Sequence, residues 1–156
     1  MIGLEQYKEK RSFKKTPEPE GKIVNDKRNR FVVQRHQARQ LHYDFRLEME
    51  GALKSWAVPK GVPLEPGVKR LAVQVEDHPV EYIDFSGEIP DGQYGAGNVK
   101  IWDSGRYEID NEEPGYLGIT LYGEKLSGGY ALIHTNKKNW LMIKRKPVKD
   151  MNTKEE

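Results

Sequence analysis

Tyr43-Asp44-Phe45-Arg46-Leu47-Glu48-Met49-Glu50-Gly51 alternates apolar and charged residues without a break until the glycine. A period of two marks a half-buried β-strand, because successive side chains point to opposite faces. Gly51 turns the chain, and Leu53-Lys54-Ser55-Trp56-Ala57-Val58-Pro59 returns as the second arm of a predicted hairpin. Outward from this pair the same period recurs. Residues 31–34 and 71–75 read as strands, and 99–103 pairs with 106–109 across Ser104-Gly105. Residues 119–125 and 130–134 flank Ser127-Gly128-Gly129 as a third hairpin, and 139–145 closes the series. Helical periodicity is weak, around Gln37-Ala38-Arg39-Gln40 and near the N-terminus. Short strands with glycine turns predict a mainly all-β fold: a small closed or partly closed β barrel with short flanking helical segments and an extended N-terminal arm.

The chain has 156 residues, enough for one domain at roughly 100–200 residues each. The expected layout is a basic arm at 1–30 packed on the barrel, the barrel at 31–146 and a flexible tail at 147–156. Three Trp, eight Tyr and four Phe supply core volume, which argues against disorder along the whole length. With no cysteine, disulfides and thiolate metal sites are excluded, so any metal must sit on His, Asp or Glu. No run approaches the ~18 apolar residues of a membrane span, and the N-terminus opens no signal-peptide pattern, so the expectation is a cytoplasmic protein without membrane contact. Net charge is only +2, but residues 1–30 carry nine Lys/Arg against five Asp/Glu, and residues 137–156 carry seven against three. Residues 31–136 carry ten against sixteen. Basic ends around an acidic middle suit a polyanion at the ends and catalytic or metal-binding carboxylates between them.

In the strand at 42–50, His42, Asp44, Arg46, Glu48 and Glu50 share one face, each about 6.5–7 Å from the next at the backbone. Tyr43, Phe45, Leu47 and Met49 share the other and read as core. His42 and Asp44 can converge on one divalent cation, with Arg46 holding an anion that bridges to it. The plain alternative is a solvent-exposed polar face. His36 precedes His42 by six residues, across a short turn or helical segment that brings it back as a third ligand; such a set suits Mn, Fe or Zn. His78 follows Glu76-Asp77 and precedes Pro79 in loop territory, with Tyr82 four residues on. His134 reads as structural. The glycine-rich run at 87–97 is followed by a strand rather than a helix, so it is a shaped connection and not a nucleotide loop. His42-x-Asp44 with His134 and Arg145 also mimics the iron and 2-oxoglutarate dioxygenase pattern, and spacing alone leaves that reading open. A non-catalytic nucleic-acid-binding barrel is the other alternative.

Five stretches carry a family resemblance: Phe31-Val32-Val33-Gln34-Arg35-His36, Leu41-His42-Tyr43-Asp44-Phe45-Arg46-Leu47-Glu48, Ser55-Trp56-Ala57-Val58-Pro59-Lys60-Gly61, Val75-Glu76-Asp77-His78-Pro79-Val80-Glu81-Tyr82 and Gly87-Glu88-Ile89-Pro90-Asp91-Gly92-Gln93-Tyr94-Gly95. In this order they resemble the 3′-phosphoesterase domain of bacterial DNA ligase D, over roughly residues 7–146. No polymerase or ligase stretch accompanies them, so the chain reads as a free-standing member. The resemblance implies a compact β barrel and a metal-dependent enzyme that heals nucleic-acid 3′ ends. It would remove a terminal ribonucleoside from a primer-template and then the remaining 3′-phosphate, leaving a hydroxyl. By motif position the implied metal ligands are His36, His42 and Asp44. Arg46, His78, Tyr82 and Arg11 match catalytic and phosphate-contacting positions. Gln34, Lys60, Arg70 and Glu76 match substrate-binding positions nearby. The family pattern places an acidic residue after the N-terminal arginine, where this chain has Ser12. Manganese is the implied cofactor, with zinc or cobalt as substitutes. The implied partners are primer-template 3′ ends and a separate end-joining ligase and polymerase, and the expectation is a monomer associated with the nucleoid.

Overall fold

The alternating segments form strands that pair in sequence order. A computed structural model describes residues 4–19 and 29–147. The tail expected at 147–156 lies outside the described residues from 148 onward, as do 1–3 and 20–28 of the expected arm. A short helix, α1 (Glu5–Glu9), precedes β1 (Arg30–Gln37), β2 (Leu41–Met49), β3 (Ala52–Val58) and β4 (Lys69–His78). A 3-10 helix (Val80–Asp84) leads to β5 (Gly87–Ile89), β6 (Gly97–Glu113), β7 (Tyr116–Gly123), β8 (Ser127–Asn136) and β9 (Asn139–Lys144). The order β1-β2-β3-β4-β9-β8-β7-β6 closes through a β1–β6 pairing into an eight-stranded antiparallel barrel, with β5 flanking β6. Closure removes the open edges that invite aggregation.

Inside the barrel the apolar halves of the strands meet. Phe31, Phe45, Leu47, Trp56, Ile119 and Leu132 are essentially sealed from solvent, each contributing about 1.5–3 kcal/mol by burial. The polar half of β2 is not solvated either: Asp44, Arg46 and Glu48 are buried on the outer surface of the barrel. A second apolar cluster explains this. Tyr7 of α1 and Tyr82 and Ile83 of the 3-10 helix pack on Val32 and Leu53, with Phe13 and Phe85 at the margin. The N-terminal segment and the 3-10 helix thus cap one outer face, and the polar residues lie beneath.

Three sequence expectations need correction. Ser104-Gly105 is not a turn: β6 runs through it as one strand of 17 residues. Gly105 lies where β6 passes from β1 to β7, paired with both Phe31 and Gly123. A Cβ there would sit 2.1 Å from the Tyr122 carbonyl oxygen, so the glycine serves close backbone approach. Residues 38–40 form a bend between β1 and β2 rather than a helical segment. His78 is the last residue of β4, not a loop residue.

Candidate metal centre

The β1–β2 register sets His36 opposite His42, Gln34 opposite Asp44 and Val32 opposite Arg46. Directly opposed residues share a face with Cβ atoms ~4.5–5.5 Å apart, so one hairpin gathers two imidazoles, a carboxylate and a guanidinium. One ligand atom from each of His36, His42 and Asp44 lies within 4.8 Å of the others. His36 Nδ1 is 3.4 Å from Asp44 Oδ2, and His42 Nε2 is 3.2 Å from Asp44 Oδ1.

The outer nitrogen of each ring is already committed. His36 Nε2 donates to the Gly95 carbonyl at 2.7 Å, and His42 Nδ1 donates to the Gln40 carbonyl at 3.3 Å. In the neutral rings this leaves two lone pairs facing a carboxylate, an arrangement that requires positive charge between them. A backbone carbonyl on the far nitrogen is the usual way a metal-ligating imidazole is oriented. The donor set fits a divalent cation with open positions. Electrostatics agree. Burial alone would raise the Asp44 carboxyl, but the Arg46 guanidinium and the two imidazoles override it and hold it well below the usual range. Hydrogen bonding to Asp44 raises the His42 pKa against the opposing effect of burial. A proton on His42 is what a cation would replace.

Arg46 continues the row. Its Nε donates to Gln34 Oε1 at 2.7 Å, its Nη2 lies 3.4 Å from Asp44 Oδ2, and its Nη1 is buried with no hydrogen-bond partner. Gln34 spends its amide on the Tyr82 and Phe85 carbonyls at 2.8 and 3.1 Å, so it fixes Arg46 and stays off the cavity wall. That cavity, about 310 Å³, is walled on one side by the metal trio and Arg46. Arg11 and Glu18 from the N-terminal segment, Glu76 and His78 from β4, Tyr82, and Tyr94 and Gly95 from the loop before β6 line the rest.

A β-bulge delivers the β4 residues. Between the pairs Ser55–Val75 and Leu53–His78 the register slips by one residue, so Val75, Glu76 and His78 all reach the cavity although strict alternation would forbid it. Pro79 then ends the strand. His78 Nδ1 donates to the Glu76 carbonyl at 3.0 Å, leaving Nε2 to accept from Arg11 Nη2 at 3.4 Å. Burial, reinforced by the charges of Arg46 and Arg11, pushes its pKa well below the ordinary value, so the ring is neutral at pH 7.

Arg11 is held without an acidic neighbour at position 12. Its Nε donates to Glu18 Oε2 at 3.0 Å, and its Nη1 donates to the Tyr7 carbonyl at 3.0 Å and to Glu76 Oε2 at 3.3 Å. Glu18 also accepts from the Tyr82 hydroxyl at 2.7 Å and from Thr16 Oγ1 at 2.9 Å. Lys10 pairs with Glu76 at 3.1 Å. Burial raises the Tyr82 hydroxyl above its usual pKa, so it remains a donor.

The structure gathers nine of the eleven sequence-predicted residues around one centre, Gln34 through Arg46. Lys60 and Arg70 lie apart from it. They line a separate hollow with Tyr43 and Trp102, where Arg70 Nη1 donates to the Lys60 carbonyl. His134 is also elsewhere, its ring against Trp140 and its Nε2 donating to the Lys137 carbonyl at 2.7 Å. Arg145 pairs with Asp110. The dioxygenase arrangement is therefore not assembled. Sequence reasoning missed Glu18, Tyr94 and the Gly95 carbonyl. Glu18 carried only a weak signal, a carboxylate between Pro17 and Pro19.

Comparison with known proteins supplies the family. Residues 34–134 match the model of the DNA ligase D 3′-phosphoesterase domain. The chain is 52% identical over 155 residues to the multifunctional non-homologous end joining protein LigD of Pseudomonas aeruginosa, covering 92% of this chain and 18% of that protein. It is 49% identical over 153 residues to the end joining DNA repair protein LigD of Mycobacterium tuberculosis, and 48% over 163 residues to that of Mycolicibacterium smegmatis. These cover 94% of this chain and 20% and 21% of the relatives. The chain thus spans about a fifth of the length of the curated relatives it matches.

Proposed function

The chain belongs to the DNA ligase D 3′-phosphoesterase domain family, and from that premise we propose that it heals nucleic-acid 3′ ends in two hydrolytic steps. The first removes a 3′-terminal ribonucleoside and leaves a 3′-phosphate. The second removes that phosphate and leaves the hydroxyl a ligase requires. The observation that carries this reading is the Asp44 carboxylate faced by two imidazole nitrogens whose outer N–H groups are already bonded, beside the unpartnered Nη1 of Arg46.

His36, His42 and Asp44 would hold a divalent cation, manganese before zinc or cobalt, and when bound it supplies Lewis acidity toward phosphate oxygens and a more acidic water. Arg46 binds a non-bridging oxygen through Nη1, and Gln34 and Asp44 fix its plane. Arg11, anchored by Glu18 and Glu76, clamps the same phosphate from the opposite wall. Donors aimed at developing charge are worth about 10²–10³ in rate each. In the first step the oxygen of water bonds to phosphorus, the P–O5′ bond breaks, and the ribonucleoside leaves with a proton. His78 is the donor of that proton once the phosphate's charge offsets Arg11 and Arg46. Tyr82 stacks beneath Arg46, 4.9 Å from ring centre to guanidinium, and holds Glu18. Lys60 and Arg70 contact the nucleic acid outside the cavity. The basic termini give sequence-independent, salt-sensitive binding of the duplex near the nucleoid, and a separate polymerase and ligase act before and after.

The test is a labelled primer-template ending in one ribonucleotide, followed in time with Mn2+ and with EDTA. A 3′-phosphate intermediate that converts to a 3′-hydroxyl, both blocked by EDTA, is expected. Salt-dependent binding without product would mark a binding module instead.

A further inference from the structure

One aromatic side chain remains unexplained by this mechanism. Tyr94 is 47% exposed, on the loop between β5 and β6 whose Gly95 carbonyl anchors His36. Its ring is held in place from one side. Lys10 Nζ lies 4.8 Å and the Arg11 guanidinium 5.3 Å from its ring centre.

Its position is particular. Tyr94 lines the metal cavity and also both grooves that open from it. The first groove runs between the β1–β2 bend and the glycine-rich loop, with Arg39 and a single carboxylate, Asp91. The second runs under α1 and carries four carboxylates, Glu76 and Asp77 among them, against three lysines including Lys10. The cavity, about 310 Å³, is continuous at Tyr94 with both grooves. A phosphate seated between Arg11 and Arg46 leaves the chain on either side of it to pass out through these openings, at the junction Tyr94 occupies. With four carboxylates against three lysines the second groove is net negative, which disfavours a polyanionic strand there relative to the neutral first groove. An uncharged leaving nucleoside meets no such repulsion, and carboxylates accept hydrogen bonds from its hydroxyls.

We propose that Tyr94 is a substrate-binding residue on which the base of the leaving ribonucleoside stacks, directing it into the groove beneath α1. The proposal rests on the two-step reading above and extends it to the specificity of the first step. Stacking on an aromatic ring is sequence-tolerant, so any of the four bases serves.

The experiment compares wild type, Tyr94→Ala and Tyr94→Phe on two primer-templates, one ending in a ribonucleotide and one in a 3′-phosphate. A third substrate ends in an abasic ribose. Tyr94→Ala should lower kcat/KM about 10- to 100-fold on the ribonucleotide end, the usual range for one base stacked on an aromatic side chain. The 3′-phosphate end should lose markedly less than the ribonucleotide end, and Tyr94→Phe should behave as wild type on both. On the abasic end, wild type and Tyr94→Ala should converge. Equal losses on both ends, no loss on either, or an abasic end cleaved as fast as a normal one by wild type would overturn the proposal. Wild type inactive on both ends would instead overturn the two-step reading and this proposal with it.

Discussion

At the residue scale the site depends on charges that cannot be removed independently. Asp44 is buried against Arg46, so Asp44→Ala strands a buried guanidinium and costs stability as well as the ligand. His42 is the cleaner probe because a quarter of its side chain is exposed. His42→Ala should abolish Mn2+ binding by calorimetry and phosphate release, while unfolding free energy changes by less than about 1 kcal/mol, as for other partly exposed sites. Retained stoichiometric binding would remove His42 from the ligand set. His78 makes a pH prediction. Its folded pKa lies below the ordinary ~6.5 of the unfolded chain, so below that pH the unfolded state takes a proton that the native state refuses. The stability His78 contributes is present above pH ~6.5 and is lost as pH falls toward the folded pKa. Between pH 7 and 5 the native state should therefore lose stability through this residue. Urea unfolding of His78→Gln should show that loss removed; the same slope in both proteins would contradict the neutral assignment.

At the scale of elements, the hairpin β2–β3 was legible and the cap was not. Period two placed His42, Asp44 and Arg46 on one face, and the six-residue spacing brought His36 back by a turn or helical segment, where the structure has a bend and an antiparallel pair that sets it opposite His42. What period two cannot report is what covers a polar face, since Tyr7, Phe13 and Glu18 reach it from a segment without strand periodicity. Nor does it report the β4 bulge, because a slip of one residue leaves no mark in composition. Ser104-Gly105 misled for a related reason: glycine marks a turn and a close backbone approach with equal force. Gly105→Ala should cost about 3 kcal/mol, the upper end for an overpacked site, since its Cβ meets backbone that cannot move aside. A melting temperature equal to wild type would restore the turn reading. For the cap, Glu18→Ala removes the shared partner of Arg11 and Tyr82, and breaking such a buried pair costs about 3–5 kcal/mol. Urea unfolding should show it, and a loss under 1 kcal/mol would mean the cap is held by apolar contacts alone.

Across the whole molecule, a closed barrel supplies rigidity and a cap on one outer wall supplies the cavity. Among the described residues no helix is long and apolar enough to cross a membrane. The excess positive charge falls at the chain ends and the excess negative charge between them. The function proposed for the barrel stands or falls on whether His36, His42 and Asp44 hold a metal. The most direct measurement is a Mn2+ titration of metal-stripped protein, with bound metal and 3′-phosphate release from a labelled primer-template read on the same samples. Release should rise in proportion to occupancy of one site, and neither signal should appear in His42→Ala. Release at full rate with no metal bound, or undiminished in His42→Ala, would contradict it.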